Sequence, residues 1–133
     1  MTGGGQLPIA SNADIVMVRQ RVRTAAVESG FSLIDQTKVV TAASELARNA
    51  LVYAGGGQVS IEIIDNTPRR GLRLEFRDEG PGIPDIAQAL TDGWTTGGGL
   101  GLGLSGSRRL VDEFDLVSVP GEGTTVTVTK WAR

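Results

Sequence analysis

The chain has 133 residues, the length of one ordinary domain. Its 15 acidic and 13 basic residues leave a net charge of −2, so no chain-wide basic field drives nonspecific nucleic-acid binding, and no nucleic-acid partner is expected. With no His and no Cys, it cannot build a Ser-His-Asp triad, a Cys nucleophile, a His/Cys zinc site, a disulfide or a phosphohistidine. The 19 glycines are about twice the usual ~7% share, so some part of the chain needs backbone more than side chains. The longest apolar runs, such as Ile15-Val16-Met17-Val18, fall far short of the ~20 residues that cross a bilayer, and residues 1–6 carry no charged-then-apolar leader pattern. A single cytoplasmic domain over 1–133 is expected, with 1–5 frayed and no membrane partner.

In chain order, Gln6 to Ala10 reads as a short extended piece, an edge strand because Pro8 lacks an N–H. Ser11 or Asn12 caps a helix that carries Ile15, Val18, Val22, Ala25 and Ala26 at spacings of three and four and stops at Gly30. Arg19, Arg21 and Arg23 on that helix read as a solvated face, although Arg19 and Arg23, one turn apart, could also meet an acidic partner. A second helix spans 35–53, with Val39, Ala43, Leu46, Ala50 and Tyr53 as its stripe and Gly55-Gly56-Gly57 ending it. Alternation then predicts two antiparallel strands, one through Val59, Ile61 and Ile63 and one through Leu72, Leu74 and Phe76, joined at Asn66-Thr67-Pro68. A short helix over 84–90, a glycine-rich loop over 92–103, a helix over 104–113 and a hairpin of strands 115–119 and 124–131 complete the chain. The fold class is α+β: a two-layer α/β sandwich with helices on one face of a mixed, mostly antiparallel sheet.

Four features carry chemistry. Gly101-Leu102-Gly103-Leu104-Ser105-Gly106 spells G-x-G-x-x-G, but no strand pattern precedes it, so a dinucleotide fold is disfavoured, and the absence of Gly-Lys-Ser/Thr excludes a P-loop. What remains is either a phosphate cradle at a helix N-terminus or a flexible loop. Glu45 and Asn49 share one helix face, where an amide oxygen suits Mg²⁺ among phosphates and a carboxylate can orient or deprotonate a hydroxyl; a wet Glu/Asn pair has the same spacing. Asp78-Glu79-Gly80-Pro81-Gly82-Ile83 ends a strand with an acceptor for an exocyclic amine and room for a flat base, or is a plain turn. Gly121-Glu122-Gly123-Thr124-Thr125 alone is a hairpin turn.

Taken in order, Glu45-x-x-x-Asn49, Asp78-x-Gly80-x-Gly82, the 97–106 loop and Gly123-Thr124-Thr125 resemble the four nucleotide-binding boxes of the GHKL ATP-binding superfamily, with its two-layer Bergerat sandwich. Within it, the stretches 44–49, 78–85, 98–104 and 112–114 resemble the small stand-alone serine/threonine kinases of bacterial partner-switching pathways. The resemblance implies ATP and Mg²⁺ as cofactors, Asn49 on the metal and Glu45 as base for a serine hydroxyl. It implies Asp78 on the adenine amine, with Gly80 and Gly82 beside the base and Thr125 near it. Gly99, Leu100, Gly101, Leu102, Gly103 and Leu104 would form the lid over the phosphates; apart from the resemblance, Arg108 is read as reaching the terminal phosphate. It further implies a STAS-domain antagonist as substrate, and a stressosome complex and a PP2C-type phosphatase as alternating partners. An anti-sigma factor kinase and a nucleotide-binding switch without kinase activity are the alternatives.

Overall fold

The computed structural model describes residues 5–66, 68–80 and 102–132, with only the backbone of Leu102, Gly103 and Ser105. Chain order is β1 (Gly5–Ile9), α1 (Asn12–Glu28), α2 (Leu33–Ala54), β2 (Gly57–Asn66), β3 (Arg69–Asp78), α3 (Leu102–Leu110), β4 (Glu113–Val119) and β5 (Gly123–Trp131). The expected helix over 84–90 and most of the glycine-rich loop lie outside the described residues.

Local chemistry sets the helix ends. Ser11 Oγ accepts the Asp14 N–H while the Asp14 carboxylate accepts the Ala10 N–H at 2.8 Å, a reciprocal cap that starts α1. Ser32 Oγ accepts the Asp35 N–H at 3.1 Å and starts α2, two residues earlier than the stripe alone suggests. Gly55, at φ 78°, stops α2, and the Gly56 N–H closes back on the Ala50 carbonyl at 2.9 Å; a residue with a Cβ would be strained at that φ.

The five strands lie in the order β1-β2-β3-β5-β4, and all four pairings are antiparallel, so the sheet described is not mixed. β1 is an edge strand, as expected from Pro8. The inward positions of the sheet, including Val59, Ile61, Leu72, Leu74, Phe76, Val126 and Val128, join Ile15, Val18, Val22, Val39, Ala43 and Leu46 from the helices in one core. Both apolar stripes read from the sequence face this core, while Arg19, Arg21 and Arg23 are exposed.

The third helix departs from expectation. It begins at Leu102 and ends at Leu110 rather than running to Glu113. Sheet pairing claims the difference: the Asp112 N–H bonds the Thr129 carbonyl at 2.9 Å, Asp112 Oδ2 accepts the Trp131 N–H at 2.8 Å, and Glu113 pairs with Thr129 as the first residue of β4. Two extra strand residues gain cross-strand bonds that another half turn of helix could not match.

One inward position on β5 holds a cation. Lys130 is buried, and its Nζ lies 3.5 Å from Asp35 Oδ1 in the first turn of α2, with the two side chains 5% and 13% exposed. Each charge has lost most of its water, so each depends on the other. Lys130→Met is expected to destabilise the fold by roughly 3–5 kcal/mol through the uncompensated Asp35, and Asp35→Leu added to it should recover much of that loss. Urea unfolding of the single and double variants checks this, and a double variant no more stable than Lys130→Met would contradict it.

Candidate functional site

At one end of the sheet, α2 stops at Ala54 and β3 stops at Asp78, and the chain leaving β3 passes against the helix end. The contact admits only glycine: a Cβ on Gly80 would lie 2.5 Å from the Ala54 Cβ and 2.9 Å from its Cα. Across the sheet, Gly123 opens β5 at φ 123°, with its α-carbon against the Asp78 carbonyl. These approaches hold Asp78 beside the last turns of α2. The Gly80 N–H donates to Asp78 Oδ1 at 2.9 Å, and the Thr124 N–H bonds the same carboxylate.

A narrow cleft with a cavity volume of about 30 Å³ lies at this junction among the described residues, well short of the ~300–1,000 Å³ usual for ligand sites. Leu46, Asn49, Ala50 and Tyr53 line it from α2, Phe76 and Asp78 from β3, Leu104 from α3, and Thr124 and Val126 from β5. The walls are mostly apolar and aromatic, and the polar side chains among them are few, the usual composition of a site that buries a flat ligand. Burial pushes the Asp78 carboxyl above its ordinary value, while the hydrogen bonds from Gly80 and Thr124 act in the opposite sense.

Asn49 supplies the second signal. Its Nδ2 is buried and has no hydrogen-bond partner among the described residues. A donor in that state costs about 1–3 kcal/mol and is open to an acceptor, as is the likewise buried Ser107 hydroxyl. As it stands the amide can donate to a phosphate oxygen; turned about Cβ–Cγ it presents a carbonyl oxygen to a cation. This fits Mg²⁺ shared between one protein oxygen and phosphates. Among the described residues no three His, Cys, Asp or Glu side chains gather as an all-protein cage.

The remaining expected residues fall as follows. Glu45 is half-buried one turn before Asn49 on α2, outside the pocket lining. Leu104 is buried and lines the pocket from the first turn of α3. Leu102 and Gly103 belong to the start of that helix rather than to a preceding loop, and amides of a first turn have no intrahelical acceptor. Arg108 is exposed in the last turn, four residues after Leu104. Gly82, Gly99, Leu100 and Gly101 lie outside the described residues.

Thr125 is displaced by strand parity. The register sets Thr124 opposite Asp78 and Thr125 opposite Arg77, so Thr124 and Val126 face the pocket and Thr125 faces the other side of the sheet. Tyr53 and Phe76 were read only as core positions. The spacing of four between Asn49 and Tyr53 was the available sign for Tyr53, because it sets both on one face of α2.

Comparison with known proteins bears on the family and the fold. Residues 34–133 match the family of histidine kinase-, DNA gyrase B- and HSP90-like ATPases. The chain is 50% identical over 125 residues to the serine/threonine-protein kinase RsbT of Bacillus subtilis, covering 94% of both chains. It is 33% identical over 99 residues to the anti-sigma F factor of Bacillus licheniformis, covering 71% of this chain and 68% of that one. Among solved structures, the RsbU and RsbW domains of Rv1364c from Mycobacterium tuberculosis match 95% of this chain and 32% of that chain, with a TM-score of 0.63 at 22% identity. The mycobacterial sensor histidine kinase MprB matches 98% of both chains with a TM-score of 0.55 at 17% identity, which is a likeness of fold. With the ATPase profile spanning most of its length and half of its residues shared with RsbT, the chain belongs to the histidine kinase-, DNA gyrase B- and HSP90-like ATPase family, among the relatives of the RsbT serine/threonine kinase.

Proposed function

We propose that the chain is an ATP- and Mg²⁺-dependent protein serine/threonine kinase of a bacterial partner-switching pathway. It phosphorylates a STAS-domain antagonist and, when released from the stressosome, binds and activates a PP2C-type phosphatase. The observation that carries this is the orphaned Asn49 amide in one pocket with Asp78, supported by 50% identity over 94% of the chain to a named serine/threonine kinase. That likeness is stronger and longer than the 33% over 71% to an anti-sigma F factor, which makes the stress-switch kinase the preferred branch. A chain without His has no residue of its own to serve as a phosphohistidine acceptor.

The roles follow from the pocket. Asp78 accepts from the exocyclic amine of adenine, its carboxylate fixed by Gly80 and Thr124, and Tyr53 and Phe76 wall the base. Gly80, whose missing side chain lets the chain leaving β3 pass against Ala54, keeps Asp78 at the base, and Gly82 would lie beside the base as well. Asn49 would hold Mg²⁺ through its carbonyl oxygen, and the ion would neutralise phosphate charge there. The first-turn amides of α3, at Leu102, Gly103 and Leu104, would face the phosphates, Gly99, Leu100 and Gly101 would complete the lid over them, and Arg108 would reach toward the terminal phosphate. Glu45, one turn from Asn49 and outside the lining, stands where an incoming serine can meet it. Its carboxylate takes the hydroxyl proton as the serine oxygen bonds to the γ-phosphorus and the bond to the ADP oxygen breaks. Most of the acceleration is electrostatic positioning of the γ-phosphate.

Transfer of γ-phosphate from radiolabelled ATP to a purified STAS-domain protein tests the reading. Glu45→Ala is expected to keep ATP affinity within about threefold while lowering kcat by about 10²–10⁴. Asn49→Ala is expected to weaken ATP binding in Mg²⁺ by at least about tenfold, roughly 1.4 kcal/mol. Undiminished transfer in either variant overturns its assignment.

Asp78→Asn separates binding from stability. An amide facing the adenine amine sets donor against donor, so ATP affinity should fall by about tenfold or more. Without nucleotide the effect on stability has the opposite sign. The folded carboxyl holds its proton more tightly than the unfolded one, so its favourable contribution is full below pH 3.8 and is lost as pH rises through the raised folded value. The stability of Asp78→Asn relative to the native chain should therefore climb as pH rises from 3.8 toward neutrality, and urea unfolding across that range shows whether it does.

A further inference from the structure

Two rows across the inward face of the sheet are wholly apolar: Phe76, Val126 and Leu116 stand opposite one another on β3, β5 and β4, and so do Leu74, Val128 and Phe114. The next row, at the pocket end, is polar throughout. Asp78 pairs with Thr124, and Thr124 pairs with Ser118. Strand parity sets all three on the same side as the apolar rows. Asp78 and Thr124 line the pocket, whereas Ser118 lies behind Thr124 on the edge strand β4, outside the lining.

The hydrogen bonds along this row have one consistent direction. Ser118 Oγ donates to the Gly123 carbonyl at 3.3 Å and lies 2.9 Å from Thr124 Oγ1. A carbonyl only accepts, so the single hydroxyl proton of Ser118 goes to Gly123, and the proton between the two hydroxyls is the one on Thr124. A threonine hydroxyl has one proton, and with it spent on Ser118 only lone pairs of Thr124 Oγ1 are left for a ligand. On the next strand, the Asp78 carboxylate accepts the Gly80 and Thr124 N–H groups and has further lone pairs. Two acceptors therefore stand side by side in the pocket. Without the Ser118 hydroxyl, the Thr124 proton would turn either to the Asp78 carboxylate, occupying a lone pair there, or into the pocket as a donor.

We propose that Ser118 is a positioning residue for base selection: it holds the Thr124 hydroxyl as an acceptor, so that the pocket takes a purine with a 6-amino group and rejects one with a 6-oxo group. This rests on the nucleotide reading of the pocket above. An amino group brings two N–H donors to the two acceptors, whereas a 6-oxo group sets lone pairs against lone pairs and leaves both sides unpaired. Ser118 acts only through Thr124 and touches no nucleotide itself.

The test is titration calorimetry of the full chain with ATP and with inosine triphosphate, both in Mg²⁺, comparing the native protein with Ser118→Val and Ser118→Thr. Valine and threonine have the same branched shape, suited to a strand, and differ here only in the hydroxyl. The native chain should bind ATP at least about tenfold more tightly than inosine triphosphate. Ser118→Val should lower that ratio by about fivefold or more, through weaker ATP binding with inosine triphosphate unchanged or tighter, and Ser118→Thr should restore most of it. Ser118→Ala, which adds no bulk, should behave as Ser118→Val does, with circular dichroism verifying the fold of each. An equal loss for both nucleotides is the mark of a merely structural serine and overturns the proposal, as does a threonine variant no more selective than the valine one. A native preference for ATP that Ser118→Val keeps intact overturns the role of Ser118 and leaves the nucleotide site standing. A native chain that binds neither nucleotide, or both equally, overturns the reading of the pocket as an adenine site and this proposal with it.

Discussion

The position of α2 over the sheet is the constraint on which the rest depends. Its first turn is tied to β5 by the buried Asp35–Lys130 pair, and its last turn is set by the contact between Ala54 and Gly80, where no side chain fits. The stripe through Val39, Ala43, Leu46 and Ala50 fills the length between. The apolar stripe is tolerant of small slides along its axis, since Leu, Val and Ala contacts are non-directional. The ion pair and the glycine contact are not tolerant. Between them they fix which turn of α2 stands beside the end of β3, and so bring Asn49 within the same pocket as Asp78.

Among the polar side chains of that pocket, Asp78 and Asn49 are unlike in charge and in how they are satisfied. Asp78 is a charge held at some cost, partly relieved by two backbone N–H groups, and it stands at the end where a base rather than a phosphate would lie. Asn49 is neutral, and its exposed need is a hydrogen-bond partner instead of a counter-ion. In the proposed role, a carboxylate at Asn49 would repel phosphates, whereas an amide does not. The Asn49 Nδ2 lacks a hydrogen-bond partner among the described residues, whereas the Asp78 carboxylate is desolvated but accepts two backbone N–H groups.

The two ends of α2 therefore carry different chemistry. The C-terminal end forms the pocket with α3, β3 and β5, while the N-terminal end presents Leu33 and Ile34 above the buried Asp35. The same inward turn of Asp35 that pins the helix also removes a negative charge from that exposed end, so a core interaction shapes the surface potential around it. A helix of 22 residues is long enough to keep the two ends apart.

Much of this was legible in the chain. Ser11 and Gly30 around α1, Gly55 at the end of α2, and the alternations through Val59–Ile63 and Leu72–Phe76 act over a few residues, so short-range physics fixes these elements, whereas the Ser32 cap that starts α2 two residues early was not read. The pairing of Glu45 with Asn49 follows from the helical period alone. The sequence did not settle which threonine of Gly123-Thr124-Thr125 faces the pocket, because a strand's parity is set only when Asp78 pairs with Thr124. Nor did it settle the end of α3, since Asp112 and Glu113 could continue a helix until Thr129 and Trp131 offered strand partners. Nothing in the chain marked Lys130 as buried, because a lysine goes inside only when a distant residue, here Asp35, meets it. Elements and their faces are local properties that the sequence determined; register, strand parity and the matching of buried charges join residues far apart in the chain, and only the tertiary structure decided them.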